Sequence, residues 1–355
     1  MRTMISISGT LSKAWMHQAL GVTFDREYYF NPSKRHAVDR ACNRYAAETF
    51  PGLGLFYSES NLGRLAYWDE TQVQIGGIQP NMILGMLLGA EFVPAGDRDA
   101  DITPACLAGK TPADLPSPET LLQHDLVRLF DEQIARIQNA SRGRLRAVPP
   151  FFWDGSGRAA IHGMLTTAQK FYGEAFFMDL VTEPDKCLEI MQWIADAYIV
   201  LCRHFARVAD MPLAEIHVGE CSACMVGPAM VEQFVVPVTS AIGQALGPIR
   251  LHSCGPSTHL LQTFAKIDRL HCLDVGGETS IAKAREILGP QIPFSIAPLP
   301  RDLTAETTEP IAEWARQILR ENAGAKLEFV YHLEPTYNLE TIKALTDLVR
   351  RQEGS

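Results

Sequence analysis

With 355 residues and 46% hydrophobic side chains the chain can bury a large core, long for an average domain but ordinary for an α/β barrel with an N-terminal elaboration. A formal charge of −9 excludes the basic stripe that a nucleic-acid surface presents. No uncharged apolar run reaches the about 18 residues of a membrane span, and the opening residues lack a secretory pattern. The expectation is a cytoplasmic protein with reduced cysteines, acting on a small molecule without nucleic-acid or membrane partners.

In chain order, the first 150 residues read as irregular, with helical text around Lys34 to Phe50, after Pro80, and over "SPETLLQHDLVRLFDEQIARIQNA" (117–140). From residue 145 the text becomes rhythmic. Strands are predicted at 145–152, 213–220, 249–254, 269–277, 293–298 and 326–333, and helices at 160–173, 185–209, 228–246, 257–267, 280–288, 311–322 and 338–352. Repeated strand-then-helix units with short connections predict a parallel sheet closed by helices, a TIM (β/α)8 barrel with an N-terminal helical or irregular elaboration. The whole chain, 1–355, is expected to be one domain. Residues 1–144 hold the elaboration and first barrel elements, and 145–355 the clear repeats. No Gly-x-Gly-x-x-Gly follows a strand, since "GLGLF" (52–56) stands in the wrong context for a dinucleotide fold.

Reacting groups in such a barrel project from the C-terminal ends of strands. Reading only those ends gives His217, Glu220, Cys221 and Cys224, then His252 and Cys254, Cys272 and Asp274, and Tyr331, His332 and Glu334. Imidazoles, thiols and carboxylates on one rim are the donors that Zn²⁺ takes. Residues i and i+2 of a strand share a side, so His252 and Cys254 in "IRLHSCGPSTH" (249–259) face the barrel interior together or leave it together. The alternative for a lone His-x-Cys is that His252 caps a turn and Cys254 fills a gap. Cys42, Cys106, Cys187 and Cys202 lie in helical text and are expected in the core.

Several stretches resemble the uroporphyrinogen decarboxylase superfamily, and within it the zinc-dependent methyltransferase branch. "LHSCG" (251–255) is similar to that branch's His-x-Cys zinc motif. "GEAFFMDLVTEPDKCLEIM" (173–191), "VGPAMVEQFVVP" (226–237), "LDVGGETSIAKAREILGP" (273–290) and "NLETIKALTDLVR" (338–350) resemble other superfamily segments. The resemblance covers about residues 150–352 well and the N-terminal part loosely. It implies zinc activation of a thiol or comparable acceptor for methyl transfer. Cobalamin would serve as substrate or on a partner corrinoid protein docking on the rim.

In one respect the chain departs from these relatives, which complete the metal shell with a cysteine shortly before the last helix. Here "FVYHLEPTYNLETI" (329–342) holds none. His332 is the better replacement, because Tyr331 offers a phenol; Cys221 or Cys224 of "GECSAC" (219–224) competes for the place. An imidazole there would leave the centre less negative and change the acceptor it suits. Glu220 is expected as a carboxylate ligand or base, and Asp274, or Glu278, as the partner that orients His252; Glu220 and Asp274 are thus the candidate catalytic carboxylates. Trp153, Asp154 and His162 are expected to line the substrate or cofactor pocket. Tyr57, Trp68 and Asn81 lie in the stretch expected to form a lid. Two other readings stand beside methyl transfer: a metal-free decarboxylase, which would need an arginine-rich N-terminal motif not found in 31–52, and a non-catalytic corrinoid- or tetrapyrrole-binding relative.

Overall fold

The computed structural model describes residues 5–53, 55–57, 71–140 and 144–353. Its main sheet consists of β1 (Ile5–Leu11), β2 (Leu55–Tyr57), β3 (Arg158–His162), β4 (Glu215–Gly219), β5 (Ile249–Ser253), β6 (Leu270–Gly276), β7 (Phe294–Ala297) and β8 (Leu327–Leu333). The eight strands run in the spatial order β2-β1-β8-β7-β6-β5-β4-β3, every pairing parallel. The first and last strands are neighbours, from Ile5↔Leu327 to Leu11↔Leu333, and the sheet curls into a TIM-like barrel. Helices on the sheet's outside include α1 (Pro32–Thr49), α2 (Asp125–Ala140), α3 (Met164–Tyr172), α4 (Pro184–Ala209), α5 (Val236–Leu246), α6 (Ile281–Leu288), α7 (Glu309–Glu321) and α8 (Leu339–Glu353). Among the described residues no helix is long and apolar enough to cross a membrane.

The long helix α4 shows why these segments fold as they do. It buries Ile190, Met191, Ile194, Tyr198, Leu201 and Phe205, a three-to-four-residue spacing that lays one apolar stripe on the core. Cys187 and Cys202 belong to the same stripe, and with Cys42 they are buried core residues. Burial pushes the Cys187 thiol up to about 12 and so keeps it protonated.

The barrel interior is unusually polar for this architecture, whose centre is ordinarily filled by branched apolar residues. On β5 the alternation sends Leu251 and Ser253 outward and Arg250, His252 and Cys254 inward. Arg250 Nη2 donates to Asp274 Oδ2 at 3.1 Å and to Ser295 Oγ at 2.9 Å, across β6 and β7. Ser295 and Ser8 both donate to Glu328, at 3.4 and 3.1 Å. At the N-terminal mouth this ladder lines a cavity of about 530 Å³, together with Asp154, Arg158 and Glu215.

Two strands differ from the sequence expectation. β1 lies within the stretch read as irregular, because its inward positions Ser6, Ser8 and Thr10 break the apolar run that marks a buried parallel strand. The strand expected at 145–152 is only Arg146–Val148, and it pairs with Gln72–Gln74 in a separate two-stranded sheet. Phe151 and Phe152 then turn at positive φ (77° and 49°), and the barrel strand runs over Arg158–His162, its last three residues in text read as the start of a helix. The helix expected over 117–140 is broken at His124, whose ψ of 142° is extended.

Candidate metal centre

β5 carries His252, half-buried, and delivers Cys254 to the C-terminal rim, where it is exposed. Polar contacts fix the turn that follows. Ser253 Oγ lies 2.8 Å from Ser257 Oγ, and Ser257 N–H donates to Thr279 Oγ1 at 3.1 Å. Gly276 permits the close approach of the next strand: a Cβ there would sit 2.0 Å from the Cys254 carbonyl oxygen.

Beyond the end of β4, Cys221 opens a short 3-10 turn, Cys221–Met225. One donor atom from each of Cys221, His252 and Cys254 falls within a 4.8 Å sphere of mutual distance. Two sulfurs and one imidazole are a known catalytic zinc set, with a fourth position left for substrate. The donor chemistry therefore fits that ion. The Cys254 thiol is drawn down to about 4, first by its hydrogen bond with Cys221 and then by that with His252. Cys221, holding the shared proton, is pushed up.

A second cluster, His217, His252 and Asp274, lies deeper. Here the carboxylate is already engaged. Asp274 Oδ2 accepts from Arg250 Nη2 at 3.1 Å and lies 3.1 Å from His252 Nδ1, an ion-pair contact without hydrogen-bond alignment, so it places a negative charge beside the imidazole and a fixed cation. Burial raises the cost of charging Asp274, but Arg250 and His252 outweigh it and hold the carboxyl well below the usual range. Burial likewise opposes the imidazolium of His252, and the Asp274 charge lifts it to about 9 nonetheless. The His217 ring stacks on that of His252, with centroids 5.8 Å apart and planes at 29°. Both His217 nitrogens lack a hydrogen-bond partner among the described residues; burial, then Arg250, keeps the ring neutral.

Residues 162–352 match the model of the uroporphyrinogen decarboxylase (URO-D) family. The chain belongs to the URO-D family. Among solved structures it is similar to a methyltransferase from Methanosarcina mazei, with a TM-score of 0.65 and 16% identity over 99% of this chain and 94% of that one. It is also similar to a B12-independent methionine synthase from Shewanella sp. W3-18-1 in complex with selenomethionine, with a TM-score of 0.51 and 11% identity over 99% of each chain. At these identities the likeness is one of fold. No curated protein matches the chain.

The URO-D match starts at His162, the last residue of β3, and takes in every residue of both clusters. His162 stands on the same rim and senses the charge of His252; burial lowers it to about 4. The other expected positions fall elsewhere. Glu220 does not point at the metal cluster. Its Oε1 accepts from Thr166 N–H and Oγ1–H, both at 2.8 Å, and Oε2 from Leu165 N–H at 3.2 Å, so this buried carboxylate seals the first turn of α3. Burial lifts it to about 7 against those hydrogen bonds. Gly163 leaves it room, since a Cβ there would lie 2.0 Å from Glu220 Oε2.

His332 faces the interior from β8, three strands round from β5, and is absent from both clusters. Its Nδ1 is 2.5 Å from Thr10 Oγ1, and its Nε2 is 3.6 Å from Glu334 Oε1. The sulfur that the structure groups with His252 and Cys254 is that of Cys221. The missing cysteine near the last helix is matched by one at another strand end, and the set keeps two thiols. Cys224 turns away, donating to the Cys221 carbonyl at 3.1 Å.

Trp153 and Asp154 lie at the opposite mouth of the barrel. Trp153 Nε1 donates to Pro212 O at 2.7 Å, and Asp154 pairs with Arg158 at 2.8 Å, both ahead of strands that start there. Their expected place at a strand end came from mistaking Arg146–Val148 for the barrel strand. Cys272 is likewise inside, 3.4 Å from Arg250 Nη1, because β6 runs on to Gly276. Glu278 forms a surface pair with Arg301 at 3.3 Å, and Tyr331 faces out of the barrel against Gly9. Asn81 is buried in the short helix Pro80–Leu87. Trp68 and the side chain of Tyr57 lie outside the described residues.

Sequence reasoning placed His217 only in the general set of strand-end donors. The further signal was its spacing, two residues before Gly219 on a strand that ends at the same rim, but a buried imidazole in "EIHVG" reads equally as core.

Proposed function

We propose that this URO-D family member is a zinc-dependent methyltransferase that moves a methyl or similar alkyl group between a corrinoid and a thiol or pterin acceptor. The observation that carries the reading is the sulfur, nitrogen and sulfur donors of Cys221, His252 and Cys254, gathered at the C-terminal mouth of a barrel. The fold likeness to a methyltransferase and a methionine synthase supports it. The corrinoid, free or on a partner protein that meets the rim, rests on the resemblance of "LHSCG". Bound to these three side chains, zinc would ionise an incoming thiol at neutral pH. The chain's own residues prepare the place. Asp274 pairs with His252 Nδ1 at 3.1 Å, His217 packs the imidazole from one face, and exposed Cys254 leaves the rim open to the acceptor. Working cysteine ligands require a reducing compartment, which supports a cytoplasmic location.

The test is methylcobalamin incubated with zinc-loaded protein and a panel of thiols and pterins, followed by the visible spectrum of the corrinoid. Demethylation by the wild type and its loss in Cys254→Ala are expected. A corrinoid left methylated with every acceptor would end the reading.

Metal binding should also release protons in a pattern set by this geometry. Cys254 is drawn below the ordinary thiol range, whereas Cys221 and His252 are pushed up, so the protons the ion must displace are those of Cys221 and His252. Calorimetry in buffers of different ionisation enthalpy is expected to show about two protons released per zinc, and affinity that rises with pH more steeply below about 9, where His252 still gives up a proton, than above it. Release of none, or a flat pH dependence, would contradict the assigned protonation states.

A further inference from the structure

Arg250 stands two residues before His252, on the same inward face of β5, and no part of the reading above uses it. Its guanidinium is buried and reaches three side chains on the next two strands: Asp274 at 3.1 Å and Cys272 at 3.4 Å on β6, and Ser295 at 2.9 Å on β7. Asp274 has two partners among the described residues, Arg250 and His252, and both meet the same oxygen, Oδ2. A carboxylate on a short side chain, held only by the imidazole it is meant to orient, could turn with it. Arg250 supplies the fixed point. Its planar fork is tied to Ser295, and Ser295 is tied through Glu328 to Ser8, so the anchor reaches across the barrel floor from β5 to β1.

We propose that Arg250 is a positioning residue for the metal centre: it anchors Asp274, and through Asp274 sets the direction in which His252 presents its other nitrogen to the ion. The proposal rests on the zinc reading of Cys221, His252 and Cys254. Arg250 makes no contact with the ion's own ligands; it acts from below, as an outer partner of an outer partner.

Cobalt(II) titration tests it without recourse to activity, because thiolate-to-cobalt charge-transfer bands report sulfur ligation and the ligand-field bands report geometry. Arg250→Met is expected to raise the cobalt Kd about 10- to 100-fold and to shift the ligand-field bands, the size of effect that outer-shell partners of metal-binding histidines show. Asp274→Asn is expected to do the same, and the double variant to bind no more weakly than the weaker single, since both remove one path. Arg250→Lys keeps the buried positive charge and serves if Arg250→Met does not fold. It should weaken binding several-fold and lose that effect in the Asp274→Asn background. Losses that multiply in the double variant, or an unchanged Kd and spectrum in the Arg250 variants, would overturn the proposal while leaving the zinc reading intact. A wild type that shows no thiolate-to-cobalt band would remove both, and is recognised because the defect is then already present before any substitution.

Discussion

Replacing His252, Cys254 or Cys221 by alanine is expected to strip the protein of zinc at limiting metal, whereas His332→Ala should retain about one ion per chain. The magnitude follows from the size of the binding energy. Zinc held by four ligands gains about 10–16 kcal/mol, so each protein ligand accounts for about 3–4 kcal/mol, or roughly 10²–10³ in Kd. Dialysis against a zinc buffer poised near the wild-type Kd, followed by elemental analysis, converts that factor into presence or absence. The comparison of Cys221 with His332 decides the third ligand. In the structure the Cys221 sulfur lies with His252 and Cys254, while His332 is hydrogen-bonded to Thr10 on the far side of the rim. Zinc retained by both the His252 and Cys254 variants would remove the metal centre altogether. Zinc lost from His332→Ala and kept by Cys221→Ala would return the third place to β8.

A large effect of a different kind is expected at Glu220. Glu220→Ala should destabilise the protein by about 3–5 kcal/mol, measured by denaturant unfolding. It would leave buried donors of Leu165 and Thr166 without an acceptor and open a cavity at a fully enclosed position. Glu220→Gln keeps one acceptor and separates charge from shape. Burial has raised the folded-state value of Glu220 from 4.5 to about 7, so the protonated form is the one folding prefers. Its contribution is fully present below the unfolded value and is lost as the pH rises through the folded one. The stability advantage of wild type over Glu220→Gln should therefore shrink between pH 4.5 and 7, by about 1.4 kcal/mol for each unit of the interval. An advantage that grows over that range would mean that the helix amide groups of α3 stabilise the carboxylate more than burial disfavours it. A Glu220→Ala variant as stable as wild type would show that the first turn of α3 does not depend on this side chain.

The pattern of hits and misses along the chain has a physical cause. β5, β6 and β8 were legible because their buried runs and the polar residues that end them follow local rules. His252 and Cys254 were legible as a pair because a strand repeats every two residues. β1 and β3 were not: inward-facing Ser6, Ser8 and Thr10 make sense only against partners hundreds of residues away, such as Glu328, and Arg158 breaks the apolar start of β3 to pair with Asp154 and Glu215. The misplacement of Trp153 and Asp154 came directly from the missed β3.

Within the centre itself the same division holds. Sequence alone determined the barrel class, the acidic character of the chain, and the His-x-Cys pair at the end of a strand, because each depends on composition or on neighbours within a few residues. Which thiol joins that pair, which carboxylate turns His252, and which one merely caps a helix were decided by tertiary structure. Those choices depend on the angle at which β4, β6 and β8 arrive at one rim, and side-chain reach of a few ångströms separates a ligand from a bystander. Glu220 and Cys221 are adjacent in the chain, yet one closes α3 and the other lies beside His252 and Cys254, because the backbone turns between them.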